Sequence, residues 1–350
     1  MTEFVQSHIV QRLGIITLNR PQALNALNLE MVRAIQAALS AWASNPQVLA
    51  VVLTSSAGKA LCAGGDIRFF HAAATQGDAS IEDFFTEEYA LNHCIATYPK
   101  PYIALMQGVV MGGGMGISTQ ANPATGLRVV TDTSKLAMPE VNIGLFPDVG
   151  GTHFLSHLKN DPQGALGKYL ALTAAPMNAA SAIVAGLADV YCPATELAQL
   201  LVSLQSPLLA NAAQVRSAAV AFCAAFSAGQ SPLAALRAEI EAHFSAYSAG
   251  DISRSLELAA TPFANEALKA LRRGSPLMVH ATLHALAQSK HSSLAQALRM
   301  ERSLMRRCFA QGEPVEGIRA LAVDKDHAPR WTHADLDAVS PTEEIGRAHV

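Results

Sequence analysis

Residues 108–118, GVVMGGGMGIS, constrain the fold of this chain more than any other stretch. Glycines at 112, 113, 114 and 116 punctuate an apolar run. The run is too short for a glycine-mediated contact between membrane helices. Nor does it match the dinucleotide fingerprint G-x-G-x-x-G or the phosphate loop, which needs Gly-Lys-Ser/Thr. It fits a strand that turns sharply into a helix. The first amides of such a helix have no intrahelical partner. With no side chains in the way, they can donate to an oxygen on a ligand, which is how an oxyanion hole is built.

The flanking sequence supplies the strands and helices that such a turn needs. Residues 8–19 read as two short strands around a turn at 12–14. Asn28 fits an N-cap for a helix whose apolar face is Val32, Ile35, Leu39 and Trp42. Continuous apolar runs at 48–54 and 102–107 predict buried strands. Shorter strands are expected at 127–131, 135–138 and 189–192, and helices over 80–97, 151–158, 163–172 and near 179–186. Strand, helix, strand in this order predicts an α/β fold. From 194 onward the pattern is helical, over 194–204, 214–227, 232–248, 262–272, 276–288 and 293–311. The expected organisation is a core of residues 1–205 and a mainly helical region, 206–350, with joints at 206–207 and 250.

Composition excludes several classes. Half of the 350 residues are hydrophobic and 15% are charged, enough to bury a sizeable core. The net charge of −3, with no long basic run, argues against nucleic-acid binding. Cys62, Cys94, Cys192, Cys223 and Cys308 are scattered and lack C-x-x-C spacing. That argues against a disulfide framework or a zinc site and for a reducing compartment. The N-terminal MTEFVQSHIVQRLG is neither a signal peptide nor an arginine-rich transit peptide, and no run of 18 apolar residues exists. A cytoplasmic protein without a membrane span is expected. The terminal EEIGRAHV, 343–350, reads as a frayed end or a remnant foreign to the fold.

Two carboxylates stand in the mostly apolar stretch KLAMPEVNIGLFPDVGG, 135–151. Glu140 and Asp148 each follow a proline directly, so both sit on stiffened backbone. A carboxylate among apolar neighbours needs a partner or a task, because burying its charge is unfavourable. Asp148 ahead of Val-Gly-Gly also fits a residue that simply opens a helix. Gly64-Gly65, after the 48–54 strand, lets backbone approach a ligand without a Cβ in the way, or makes an ordinary tight turn. In the 80–97 helix, Ser80 with Asp83 matches a capping box. That helix carries Glu87 and Glu88, and helical glutamates are usually solvated.

Four segments, in this order and spacing, carry a resemblance to the enoyl-CoA hydratase/isomerase (crotonase) superfamily. They are LNRPQALNALN at 18–28, ALCAGGDIRFF at 60–70, PYIALMQGVVMGGGMGIS at 101–118 and LAMPEVNIGLFPDVGG at 136–151. The acids eight positions apart in the last segment, EEYAL at 87–91 and the run FAQGEPVEGIRALAVDKDHAPRW at 309–331 resemble its thioester-hydrolysing branch. The resemblance implies an α/β crotonase-like spiral of ββα units with a helical C-terminal region. It implies hydrolysis of a short branched 3-hydroxyacyl-CoA thioester of valine breakdown, with coenzyme A as part of the substrate and no cofactor or metal. Gly65 and Gly113 match the backbone oxyanion donors, and Glu140 matches a general base or nucleophile beside the thioester carbonyl. Asp148 matches a second active-site acid, Glu88 an acid holding the substrate's hydroxyl end, and Arg68 a basic position near the coenzyme A phosphates. Superfamily members often form homo-oligomers. Hydratases carry a glutamate two residues past the glycine turn, where this chain has Gly116, and a glycine where it has Asp148. These departures favour hydrolysis over the enoyl-CoA hydratase or isomerase alternative. A non-catalytic acyl-CoA-binding protein is the other alternative. The segment TQANPATG, 119–126, is longer than the hydrolase pattern and adjoins the expected oxyanion helix.

Overall fold

Asn28 opens the first helix, as its place ahead of an apolar stripe predicts: its side chain accepts from the Met31 amide at 2.9 Å. The computed structural model describes residues 2–122 and 124–340; the terminal segment 343–350 and Pro123 lie outside the described residues. Along the chain run β1 (Val5–Val10), β2 (Leu13–Leu18), α1 (Leu29–Ala43), β3 (Ala50–Ser55), β4 (Ala60–Cys62), α2 (Ile67–Gln76) and α3 (Ser80–Ala96). Then come β5 (Tyr102–Met106), β6 (Val109–Met111), α4 (Gly113–Thr119), β7 (Leu127–Val130), β8 (Lys135–Ala137), α5 (Gly151–Ser156), α6 (Ala165–Thr173) and β9 (Val190–Tyr191). Later helices span Leu197–Leu204, Ala212–Cys223, Arg237–Phe244, Ala249–Ala259, Pro262–Arg273, Pro276–Ser289, Leu294–Gln311 and Glu313–Ile318.

By packing, the chain divides into two compact units that interleave in sequence. The first holds the chain up to Gly65, Glu87–Leu136 and Met177–Pro232. The second holds Asp66–Thr86, Ala137–Pro176 and the chain from Leu233 onward. The expected boundary at residue 205 therefore falls inside the first unit.

The first unit is built on a six-stranded sheet in the order β1-β2-β3-β5-β7-β9. Only the β1–β2 pair is antiparallel. Parallel strands covered on both faces read as continuous apolar runs, and β5 is buried at every residue. On one face Ile15, Val52, Ile103 and Val129 pack with Leu197, Leu200, Val215 and Ala219 of two later helices. On β2, Gly14 leaves room for the Trp42 ring of α1; a Cβ there would lie 2.6 Å from a ring carbon. A second sheet, β4-β6-β8, brings the ends of β4 and β6 side by side in parallel. Gly114, in the first turn of α4, passes so close to β4 that a Cβ would collide with the Cys62 carbonyl.

The second unit is mainly helical. Phe69 and Phe70 of α2 meet Phe84 and Phe85 of α3 and Phe309, with ring centroids 4.8–6.5 Å apart. Three local expectations are corrected here. The amide of Ser80 donates to Asp78 Oδ1 at 2.9 Å, so the acceptor at the α3 entry is Asp78 rather than the Ser80/Asp83 pair. The helix expected over 232–248 breaks into Pro232–Ala235 and Arg237–Phe244. Gly250 is not a joint: it lies in the first turn of Ala249–Ala259, where Ser248 caps the helix by accepting from Asp251 N at 3.1 Å. The helix Glu313–Ile318 and the π-helical turn Arg319–Val323 carried no clear periodic signal.

Gly114→Ala forces backbone atoms apart in a packed sheet. It should destabilise the protein by about 1–3 kcal/mol, read from the denaturant midpoint; an unshifted midpoint would show that the α4–β4 approach is not tight.

Candidate active site

The residues singled out in sequence divide between the two units. In the first, three of them come together. Gly64, after β4, has φ +112°, and Gly112, ahead of α4, has φ +49°, both in a region that L side chains avoid. The Leu27 amide donates to the Gly64 carbonyl at 2.8 Å and fixes the first turn. Gly113 is the first residue of α4, while Met115 and Gly116 turn their amides to the Gly112 carbonyl at 2.8 and 3.1 Å. A Cβ built on Gly113 would lie 3.4 Å from the Gly65 nitrogen and 2.5 Å from Glu88 Oε1. The two glycine turns and the Glu88 carboxylate thus share one small region. Unpaired amides at a helix start can polarise a carbonyl oxygen.

Glu87 and Glu88 show how one helix assigns neighbouring glutamates opposite fates. Glu87 makes a bidentate pair with Arg33 at 2.6 and 2.8 Å near the surface, the solvated role usual for helical glutamates. Glu88 is 2% exposed. One turn on, Asn92 is fully buried, and neither its Oδ1 nor its Nδ2 finds a hydrogen-bond partner among the described residues. Burial pushes the Cys62 thiol up to about 12; its hydrogen bond with Gly64 opposes this and the Glu88 charge adds to it. That thiol stays protonated near neutral pH and is no nucleophile. The segment 119–126 closes through Asn122, whose carbonyl accepts from Gly126 N at 2.6 Å, and Arg216 Nε donates to the Gly126 carbonyl at 3.1 Å.

The second unit holds Glu140, Asp148 and Arg68. Glu140 begins the 3-10 helix Glu140–Ile143 and is 5% exposed. This turn is held backbone to backbone. The Glu140 carbonyl accepts from Leu145 N at 3.0 Å, and the Val141 carbonyl from Ser275 N at 2.9 Å. A Cβ on Gly144 would strike the Glu313 carbonyl, and one on Gly317 would strike Ile143. The C-terminal helix Glu313–Ile318 thus buttresses the turn that carries Glu140.

Asp148 is 6% exposed and is not the residue that opens α5. That place belongs to Gly150, at φ +80°, while Gly151 N donates to the Asp148 carbonyl at 2.6 Å. Between them Val149 has φ +54°, an outlier for a β-branched residue that costs about 1–3 kcal/mol. Glu301, buried in the helix Leu294–Gln311, accepts from Gly150 N at 2.7 Å, from Thr152 N at 3.0 Å and from the Thr152 hydroxyl. Burial pushes its carboxyl up to about 8; the donors from Thr152 and Gly150 oppose this, and the Asp148 charge adds to it. Sequence reasoning missed Glu301, although it falls at helical spacing in the stripe Ala297, Leu298, Leu304, Met305 and Cys308. Arg68 is exposed on α2. Among the described residues no cluster of three His, Cys, Asp or Glu side chains could hold a metal ion.

The parallel-rich sheet and the glycine turns fit the crotonase class of acyl-CoA enzymes. A model of the enoyl-CoA hydratase/isomerase family matches residues 13–347, and the chain belongs to that family. It is 38% identical over 333 residues to 3-hydroxyisobutyryl-CoA hydrolase, mitochondrial, of Rattus norvegicus, covering 93% of this chain and 84% of that one. The Homo sapiens protein of the same name is 38% identical over 330 residues, covering 93% and 83%. Among solved structures, an enoyl-CoA hydratase from Rhodobacter sphaeroides superposes with a TM-score of 0.88 at 39% identity, over 99% of this chain and 97% of that one. A carnitinyl-CoA dehydratase from Mycobacterium thermoresistibile superposes at 0.90 with 36% identity, over 100% and 97%.

Gly113→Ala drives a methyl group into the Glu88 carboxylate. Its turnover of an acyl-CoA thioester should fall by about two orders of magnitude; full activity would remove Gly113 from the site. Glu301 holds its proton more tightly folded than unfolded. Its contribution to stability is therefore complete below 4.5 and lost as pH rises through about 8. Unfolding midpoints measured across that window should decline for the wild type and flatten for Glu301→Gln; an unchanged slope would assign the decline to other groups.

Proposed function

We propose that this chain hydrolyses 3-hydroxyisobutyryl-CoA to 3-hydroxyisobutyrate and free coenzyme A, a step of valine breakdown. The observation that carries this reading is the 38% identity to the rat and human hydrolases over 93% of the chain. The buried acids of the two units are consistent with it. In the proposed reaction the amides of Gly65 and Gly113 bind the thioester oxygen as it gains negative charge. Glu140 attacks the carbonyl through an anhydride or draws a proton from the attacking water. The carbon–sulfur bond breaks, the thiolate leaves and takes a proton, and water supplies the oxygen of the product acid. Glu88 holds the substrate's hydroxyl end and Asp148 acts as second acid. Arg68, exposed on its helix, is assigned to the coenzyme A phosphates by resemblance alone. Coenzyme A enters as part of the substrate, and no other cofactor is needed.

A cytoplasmic location is part of the proposal. It is supported by five cysteines, none of them in a disulfide among the described residues. Assembly into a homo-oligomer is proposed from the habit of the superfamily.

The two solved neighbours, an enoyl-CoA hydratase and a carnitinyl-CoA dehydratase, favour a second reading, addition of water to an enoyl-CoA. Against it, the position where hydratases carry a glutamate is Gly116, buried inside α4 with no carboxylate to offer.

One assay separates the readings: coenzyme A thiol release from 3-hydroxyisobutyryl-CoA, 3-hydroxypropionyl-CoA, crotonyl-CoA and acetyl-CoA. Fast release from the first, abolished in Glu140→Gln with coenzyme A binding retained, is expected. Hydration of crotonyl-CoA without thiol release would replace this reading with the hydratase. Absence of turnover on all four would favour a binding protein.

A further inference from the structure

The helix Leu294–Gln311 buries one face, and a glutamate stands in that stripe. Glu301 is fully buried, and both its oxygens are used. Oε2 accepts from the amide of Gly150 at 2.7 Å. Oε1 accepts from the amide of Thr152 at 3.0 Å and from the Thr152 hydroxyl. That hydroxyl in turn accepts from Ser289 Oγ at 2.8 Å. A carboxyl group is suited to this place because both its oxygens can accept, whether or not it carries a proton. A glutamine would turn an amino group toward donors.

The donors that Glu301 collects flank Gly151 and follow Asp148 and Val149 directly. Val149 sits at φ +54°, where a branched side chain is disfavoured. Such a conformation persists only where the surroundings over-determine it. Glu301 supplies that determination through Thr152, 149 residues away in sequence, and Gly150, having no side chain, cannot supply a cap of its own.

We propose that Glu301 is a positioning residue for the thioester reaction, clamping the amides of Gly150 and Thr152 and so holding the strained turn that presents the Asp148 carboxylate. The proposal rests on the role given above to Asp148. It assigns to the C-terminal half of the chain a task in catalysis as well as in folding.

A double-mutant cycle tests it on the full chain with 3-hydroxyisobutyryl-CoA. Glu301→Gln should lower kcat/KM by about tenfold to a hundredfold, the scale of a group misplaced by about 1 Å. In an Asp148→Asn background the same substitution should add no more than about twofold, because the residue it positions has already lost its charge. A purely structural role would give equal losses in both backgrounds, and that result overturns the proposal. Wild-type turnover in Asp148→Asn alone would overturn the role of Asp148 instead. If activity in that background is too low to compare, the crystal structure of Glu301→Gln decides. A displaced Asp148 carboxylate supports the clamp, and an unmoved one overturns it. If Glu301→Gln fails to fold, Thr152→Val removes one donor at constant shape. It should show a smaller loss of kcat/KM that also vanishes in the Asp148→Asn background, and equal losses there overturn the proposal.

Discussion

A carboxylate below the surface has to be met by donors, and the start of a helix is the richest source of donors in a folded chain. The second unit solves both problems together twice, and a third buried acid, Glu313, meets donors of other kinds. The helices α5 and α6 open on Gly150 and Gly164, neither of which has a side chain to cap with. Glu301 takes the free amides of the first. Asp161 takes those of the second, accepting from Leu166 N at 3.2 Å and Gly167 N at 2.9 Å. Glu313 accepts from the Ser275 hydroxyl and from Thr332 N at 2.9 Å, and Ser275 caps the helix Pro276–Ser289. Removing one acid from such a place leaves several donors unsatisfied at once, each costing about 1–3 kcal/mol. The turns bearing Glu140 and Asp148 are positioned by this scaffold.

The first unit positions its donors by the opposite means, taking side chains away. Gly64, Gly112, Gly113 and Gly114 let two strand ends and a helix start approach at backbone distance. A donor fixed by its own backbone needs no reorganisation when charge develops on a substrate oxygen, which is where electrostatic catalysis obtains most of its effect. The price is rigidity of sequence: at Gly113 even a methyl group meets Glu88 at 2.5 Å.

Those same features explain what could be read from the sequence. Strands, the α1 stripe and the glycine turn were legible because periodicity and the absence of Cβ atoms are local properties. Glu88 and Glu301 were legible in principle. Glu88 lies three and four residues beyond the buried Phe85 and Phe84, and Glu301 lies four beyond Ala297. Their spacing puts both on apolar faces, yet glutamate identity suggests solvent, and the two signals conflict until packing decides. The Glu313–Ile318 buttress was illegible for a different reason. Gly317 is demanded by Ile143, a residue 174 positions away, and nothing in EPVEG hints at it. The break at Leu236 and the helix through Gly250 are likewise decided by packing and a Ser248 cap that outweigh glycine's poor propensity.

The acid–base demands of the two candidate reactions differ, and this gives the departure at Gly116 its meaning. Adding water across a carbon–carbon double bond requires one group to take a proton from water and a proton delivered to carbon. Two carboxylates divide that work in a hydratase. A thioester makes a smaller demand. Its leaving group is a thiol with a pKa near about 8.5 by analogy with cysteine, so it departs as a thiolate without an acid beside the sulfur. One ionised carboxylate and a pair of amide donors are then sufficient for the carbon–sulfur bond to break. Gly116 inside α4 offers no carboxylate for the harder proton balance, and in the proposed reaction Glu140, on its buttressed turn, serves the easier one. In the proposed reaction Glu88 holds the polar end of the acyl group, which a plain enoyl chain does not possess, and Asp148 acts as second acid.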